Sequence, residues 1–216
     1  MTNKIRAIVT TLLFILIGIP VSVFGQNNFE QRVGRIAKEL ISKVSVSEPI
    51  EVRIYSKANI GDLAHFSTFS IKKLKKRPAL NINKWFFTKL SDKALTYVLA
   101  HELGHYFDSE PRWALSETGF EFDGQFIADA FALYVIGEDL FRTGRDEITL
   151  MYYYNTTPKE MWLMKNDPTY YTLQLNYVRQ RTEWWLTKAK QNLDKVPSLI
   201  SSRNRSPINS KFKSTH

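Results

Sequence analysis

The chain has 216 residues, of which 44% are apolar and 13% aromatic, and it contains no cysteine. That length and apolar share fit one packed domain with ends, able to form a core without a metal staple. The formal charge is +9, but Lys4 and Arg6 belong to a leading segment and four more basic residues lie in a tail without acids. The body is left at only about +3, which excludes a nucleic-acid protein with a broad basic face.

The opening segment, MTNKIRAIVTTLLFILIGIPVSVFGQNN, sets Lys4 and Arg6 before an uncharged run from Ala7 to Phe24, followed by small or polar residues. This is the layout of a secretory signal peptide over residues 1–25, with cleavage expected after Gly25 and Gln26 as the mature N-terminus. Gly18, Pro20 and Ser22 weaken a membrane span, so membrane association is expected only if the segment stays uncleaved. The expected location is secreted or periplasmic, in the cell envelope. The lack of cysteine neither supports nor opposes export.

Phe29, Val33, Ile36, Leu40, Ile41 and Val44 then recur at helical spacing, which predicts a packing helix with one apolar face. Ile50, Val52 and Ile54 alternate with charged or polar neighbours, as in a half-buried strand. HFSTFSIKKLKKRPALNIN reads as two more strands around a basic turn of Lys72, Lys73, Lys75, Lys76 and Arg77 that ends at Pro78. That turn reads as a solvated hairpin tip, and His65 as a surface or satisfied core residue rather than a ligand. Ser91 is the expected N-cap of the next helix, with Leu95, Val98, Leu99 and Leu103 as its buried stripe and Pro111 as its stop. A strongly apolar helix follows over EFDGQFIADAFALYVIGEDLFRTG, with Gly144 as its terminator. A last long helix is expected after Pro168, and residues 197–216 read as a disordered basic tail.

The chemistry lies in VLAHELGHYFD, residues 98–108. Positions i and i+4 share a helix face, so the imidazoles of His101 and His105 can converge on one metal, and zinc suits two neutral imidazoles. Glu102, a further 100° around, can take a proton from a metal-bound water without being a ligand. Two histidines and a glutamate at this spacing arise by chance in only about 0.4% of chains of this composition, which favours function over accident.

PALNINKWFFTKLSDKALTYVLAHELGHYFD followed by QFIADAFALYVIG, residues 79–137 for the most part, resembles the gluzincin metallopeptidases, especially the HtpX and CAAX-prenyl-peptidase group and the ImmA/IrrE-like peptidases. The resemblance implies a strand before the active helix that receives substrate as an added strand, here ALNIN, and a following helix with the pattern E-x-x-A-D/N-x-x-A. Ala128, Asp129 and Ala132 match that pattern. It implies that Asp129 orients a histidine ligand through its other ring nitrogen. The family's third ligand is a glutamate four residues before the Asp, where this chain has Gln125, a neutral and weaker ligand. Glu121 and Asp129, one turn to either side, are the alternatives, ranked Gln125, then Glu121, then Asp129. The His-Pro of the HtpX-like group is Asp167 and Pro168 here. Tyr170, Tyr171, Tyr177 and Arg179 are the candidate donors to a developing oxyanion.

The expected fold is α+β of minimal gluzincin type: N-terminal helix, small mainly antiparallel sheet, active-site helix, second ligand-bearing helix and C-terminal helix. Residues 26–196 form the expected metallopeptidase-like domain. The expected function is an exported zinc-dependent metallopeptidase acting on a protein or peptide substrate, with no nucleic-acid partner. The alternative is a catalytically weak or inactive binding or regulatory protein of the cell envelope on the same fold.

Overall fold

The computed structural model describes residues 21–46, 48–56, 64–71, 75–108, 123–154 and 158–205. Helix α1 (Val21–Lys43) leads into strands β1 (Glu51–Tyr55), β2 (Ala64–Ile71) and β3 (Lys75–Asn83), then the short α2 (Lys84–Phe87) and the long α3 (Asp92–Phe107). Helices α4 (Asp123–Ile136), α5 (Glu138–Tyr154), α6 (Pro158–Asn166), α7 (Pro168–Lys190) and α8 (Val196–Arg205) complete a mostly helical α+β fold. None of the described helices is long and apolar enough to cross a membrane. Residues 1–20 of the expected signal peptide lie outside the described residues, and the expected cleavage point after Gly25 falls within the first turns of α1.

Phe29, Val33, Ile36 and Leu40 bury the apolar face of α1, and Val44 is buried just beyond its end. Arg32 fixes this helix to the start of α3: its Nε donates to Asp92 Oδ1 at 2.7 Å and its Nη2 to the Leu90 carbonyl at 2.7 Å. Ser91 caps α3 as its sequence position implies, accepting from the Ala94 amide at 3.3 Å. The helix is apolar nearly all round, the pattern of an element surrounded by others, and it packs against α1, α4, α5 and the sheet.

The sheet differs from the expectation in three ways. Its order is β1-β3-β2, with β1 parallel and β2 antiparallel to β3, so it is mixed rather than mainly antiparallel. Secondly, ALNIN is the centre of the sheet and not an edge: Ala79–Asn83 pair with Glu51–Tyr55 on one side, and Ala79–Ile82 pair with residues of β2 on the other. Ala79, Leu80, Asn81, Ile82 and Asn83 are all buried, as a central strand requires. The two asparagines disguise that burial as a polar alternation. Thirdly, Lys75, Lys76 and Arg77 belong to β3, and the remainder of the basic turn, residues 72–74, lies outside the described residues. Pro78 is tolerated within β3 because pairing with β1 begins one residue later, so no ladder bond is lost on that side.

Two helix ends also move. The expected terminator Gly144 lies inside α5; a Cβ there would stand 2.5 Å from the Tyr97 Cβ, so it is a point of close approach between α5 and α3. The break falls at Gly137, whose φ of +78° is open to glycine at little cost. The tail expectation is corrected as well, since residues 197–205 belong to α8. Val196 and Arg203 are buried on one side of that helix and Leu199 and Ile200 are partly buried, a helical repeat that its polar composition hides. Residues 206–216 lie outside the described residues.

Candidate functional site

Helix α4 reaches the HELGH turn of α3 through small residues. A Cβ on Gly104 would lie 2.7 Å from the Ala128 Cα and 2.9 Å from its carbonyl oxygen, and Ala128 and Ala132 are fully buried. Only hydrogen fits at Gly104 with the backbones this close. This approach brings Gln125 and Asp129, one turn apart on α4, over the two histidines.

Asp129 is wholly buried and receives three donors. His101 Nδ1 lies 2.7 Å from its Oδ1, the Tyr97 hydroxyl donates to the same oxygen at 2.8 Å, and Arg145 Nη1 donates to Oδ2 at 2.7 Å. Arg145 also donates to the Tyr97 hydroxyl, and its guanidinium lies over the Trp185 ring at 4.1 Å from the centroid. Burial opposes charge on Asp129, but Arg145, then His101 and Tyr97, outweigh it and hold the carboxyl below its usual range. Burial also pushes the Tyr97 phenol well above its usual range, so it remains a donor.

With Nδ1 engaged by Asp129, His101 turns Nε2 toward Gln125, whose Oε1 lies 3.0 Å away; the Gln125 Nε2 lies 3.4 Å from His105 Nε2. The imidazole rings meet edge to face with centroids 4.9 Å apart. One amide therefore bridges two imidazoles. Both ring nitrogens of His101 face oxygens, the pattern of an imidazolium. Burial works against that charge, yet Asp129 outweighs it and the pKa is raised. Burial, and then the charge of His101, lower His105 to about 3, so its imidazole is neutral and its Nε2 can accept from the amide.

The donor set fits zinc in type. Two imidazole nitrogens and an amide oxygen are competent ligands in type, and the 3.0 Å between His101 Nε2 and Gln125 Oε1 is near the roughly 3.4 Å between donors about 2.1 Å from a tetrahedral ion. His105 faces the amide nitrogen, so the amide must turn for its oxygen to join both imidazoles on one ion. Among the described residues, however, no three His, Asp or Glu side chains form a metal-holding group, because the third member here is neutral. Glu121 lies outside the described residues. Asp129, committed to His101, Tyr97 and Arg145, is not directed at the gap between the imidazoles. Glu102 is 8% exposed on the same turn of α3.

Asp167 is the N-cap of α7 and accepts from the amides of Thr169 and Tyr170 at 2.9 and 3.0 Å. Tyr177 hydrogen-bonds Arg181 within that helix, and Tyr171 and Arg179 are exposed. The cation that the structure brings to the cluster is Arg145, which sequence reasoning missed together with Tyr97. Tyr97 carried a signal, since residues 97, 101 and 105 share one face of α3. Arg145 carried none: it lies beyond the Gly137 break, with no fixed spacing to the motif. No family model, curated protein or solved structure matches the chain.

Proposed function

We propose that the protein is an exported zinc-dependent peptidase, with His101, His105 and the Gln125 carbonyl oxygen as metal ligands. One observation carries this reading: a buried, ionised Asp129 holds His101 by Nδ1 and leaves Nε2 facing the oxygen of the Gln125 amide, whose nitrogen faces His105 Nε2. Orienting a ligand histidine through its second nitrogen is the usual support of a zinc site. Zinc held there would acidify a bound water and polarise the carbonyl of the scissile amide.

The chain's own residues do the rest. Glu102 receives the water's proton and returns it to the leaving amine, so the peptide bond is exchanged for a carboxylate and an amine. Tyr97 and Arg145 keep Asp129 ionised and immobile, which fixes the orientation of His101. A neutral third ligand leaves more positive charge at the centre than a carboxylate would, favouring acidification of the water at some loss of metal affinity. Since ALNIN is internal, an added substrate strand belongs on the outer edge of β2, which packs on α3.

A second reading has its own support: the Gln125 amide satisfies both imidazoles by hydrogen bonding, a closed arrangement that suits a binding or regulatory module without chemistry. Elemental mass spectrometry of the purified protein and of His101→Ala separates the two. About one zinc per chain, lost in the variant, with peptide cleavage abolished in Glu102→Ala, supports the peptidase. Absence of bound zinc after incubation with the metal leaves the binding module.

A further inference from the structure

Arg145 holds Asp129 and so the orientation of His101, yet the ion pair does not by itself fix where Arg145 lies. Among the described residues it meets the carboxylate through one nitrogen, Nη1 on Oδ2 at 2.7 Å, and not as the two-pronged fork that guanidinium and carboxylate can form. A long side chain joined at one end keeps rotational freedom that other contacts must remove. Two aromatic rings supply them. The guanidinium carbon lies 5.7 Å from the Tyr97 ring centroid and 4.1 Å from that of Trp185. The nearer ring is the indole, whose face attracts a cation more strongly than that of Tyr or Phe.

Trp185 belongs to α7, so a fourth helix joins α3, α4 and α5 behind the histidine cluster. Helix α7 is tied to α5 by the ion pair of Arg142 with Glu183 and by Lys190 Nζ on Glu138 Oε2 at 2.6 Å. Leu186, next to Trp185, is buried in the core. The indole is thus carried on a backbone anchored beside Arg145. It also meets the Phe126 ring at 5.0 Å, and Phe126 follows Gln125 in α4. Trp184 offers the contrast: it is half exposed, meets Phe126 edge to face at 5.6 Å and carries Lys188 over its ring at 5.9 Å.

We propose that Trp185 is a positioning residue of the candidate metal site, whose ring face holds the Arg145 guanidinium against Asp129 and thereby fixes the direction of His101 Nε2. The role belongs to the flat π face and not to bulk alone, because a planar cation stacks on a ring and slides over an aliphatic chain. The proposal rests on the metal-site reading for its zinc readout, but the bond from His101 Nδ1 to Asp129 reports the same role without metal.

The test compares Trp185→Phe, Trp185→Met and the control Trp184→Leu with the parent, each as the full chain. The first measurement, in EDTA, is the proton resonance of His101 Nδ1–H, shifted downfield by its 2.7 Å bond to the Asp129 carboxylate and identified by its loss in His101→Ala. The second is zinc affinity by isothermal titration. Trp185→Met fills the space without a ring, and should move the resonance and weaken zinc about tenfold. Trp185→Phe keeps a smaller ring face and should fall between Met and the parent, while Trp184→Leu stays within about twofold. In an Arg145→Lys background, which lacks the planar group, either Trp185 substitution should weaken zinc by less than about twofold more. Should Trp185→Met not fold, the Phe variant and its Arg145→Lys combination decide.

Trp185 variants that unfold at lower urea but keep the parent's resonance and zinc affinity make the indole a packing residue and overturn the proposal. So do losses that multiply in the Arg145→Lys background. A parent that binds no zinc, with a His101 resonance that moves in the Trp185 variants, removes the metal reading and retains the positioning role; zinc bound at parent affinity by those variants does the reverse.

Discussion

Arg145 and Asp129 form an ion pair at the back of the histidine cluster, with Nη1 2.7 Å from Oδ2 and no solvent access to the carboxylate. The pair joins α5 to α4, and through the other carboxylate oxygen it reaches α3 at His101. The orientation of a candidate ligand thus depends on a cation two helices away.

Arg145→Ala should therefore act as a buried-charge mutation. Removing one partner of a buried pair leaves Asp129 uncompensated and costs about 3–5 kcal/mol, read as a lower urea midpoint. Zinc affinity should fall about 10- to 100-fold, as for other residues that support a ligand histidine. Arg145→Lys keeps the charge but loses the planar group over Trp185, so it should recover stability only in part. Unaltered zinc affinity in Arg145→Ala would separate the ion pair from the site.

Gln125→Glu supplies the charge that the cluster lacks. Isothermal titration should show tighter zinc binding, with an amide oxygen exchanged for a carboxylate 3.0 Å from His101 Nε2 in the parent geometry. Unchanged affinity, combined with loss in Glu121→Ala, would transfer the ligand to Glu121.

The metal-free protein should lose stability as pH falls below neutral, with His105 as a cause. Its folded pKa of about 3 lies below the ordinary 6.5. From pH 6.5 downward the unfolded chain takes up a proton that the folded site refuses, so this stability is present above pH 6.5 and declines toward pH 3. His101 has the opposite sign: its folded pKa is raised, so its contribution is complete below pH 6.5 and is lost as pH rises through the folded value. Urea midpoints at pH 7 and pH 5 should differ in the parent, and His105→Gln should flatten the difference. An equal slope in both proteins would remove His105 as its source.

The contact between α3 and α4 gives a steric prediction. In Gly104→Ala the new Cβ meets the Ala128 backbone at 2.7 Å, where no flexible side chain can yield. Helices forced apart in a packed core cost about 1–3 kcal/mol. The same movement withdraws Gln125 from both histidines, so the thermal midpoint and zinc affinity should fall together.

What was legible in the sequence was local. One helix face aligned His101 with His105, the Ser91 cap followed from the polar residue before an apolar run, and the small residues of α4 matched a pattern that places Gln125 and Asp129 one turn apart. Relationships between elements were not legible. The edge role of ALNIN was implied by the resemblance alone and not by its residues, and its central place was hidden because pairing on both sides depends on partners that one strand does not specify. Gly144 read as a terminator because glycine ends helices and permits close packing with the same letter, and only the position of Tyr97 tells these apart. Arg145 was hidden for the same reason, since its role exists only once α5 lies across α3 and α4.

The terminal helix makes the same point experimentally. Arg203 of α8 is 6% exposed, stands 4.0 Å from the Glu48 carboxylate and lies over the Tyr106 ring at 4.6 Å. Tyr106 in turn donates to Glu48 at 3.2 Å and lies next to His105 in the chain. A dispensable tail would tolerate removal of residues 197–216. This arrangement predicts instead that the deletion strips Glu48 of a buried cation and costs about 3–5 kcal/mol. Arg203→Met, which retains bulk over Tyr106 but not charge, isolates the electrostatic share. Both proteins should unfold at lower urea than the parent, with the deletion the weaker; a deletion as stable as the parent would return these residues to the role of a solvated end.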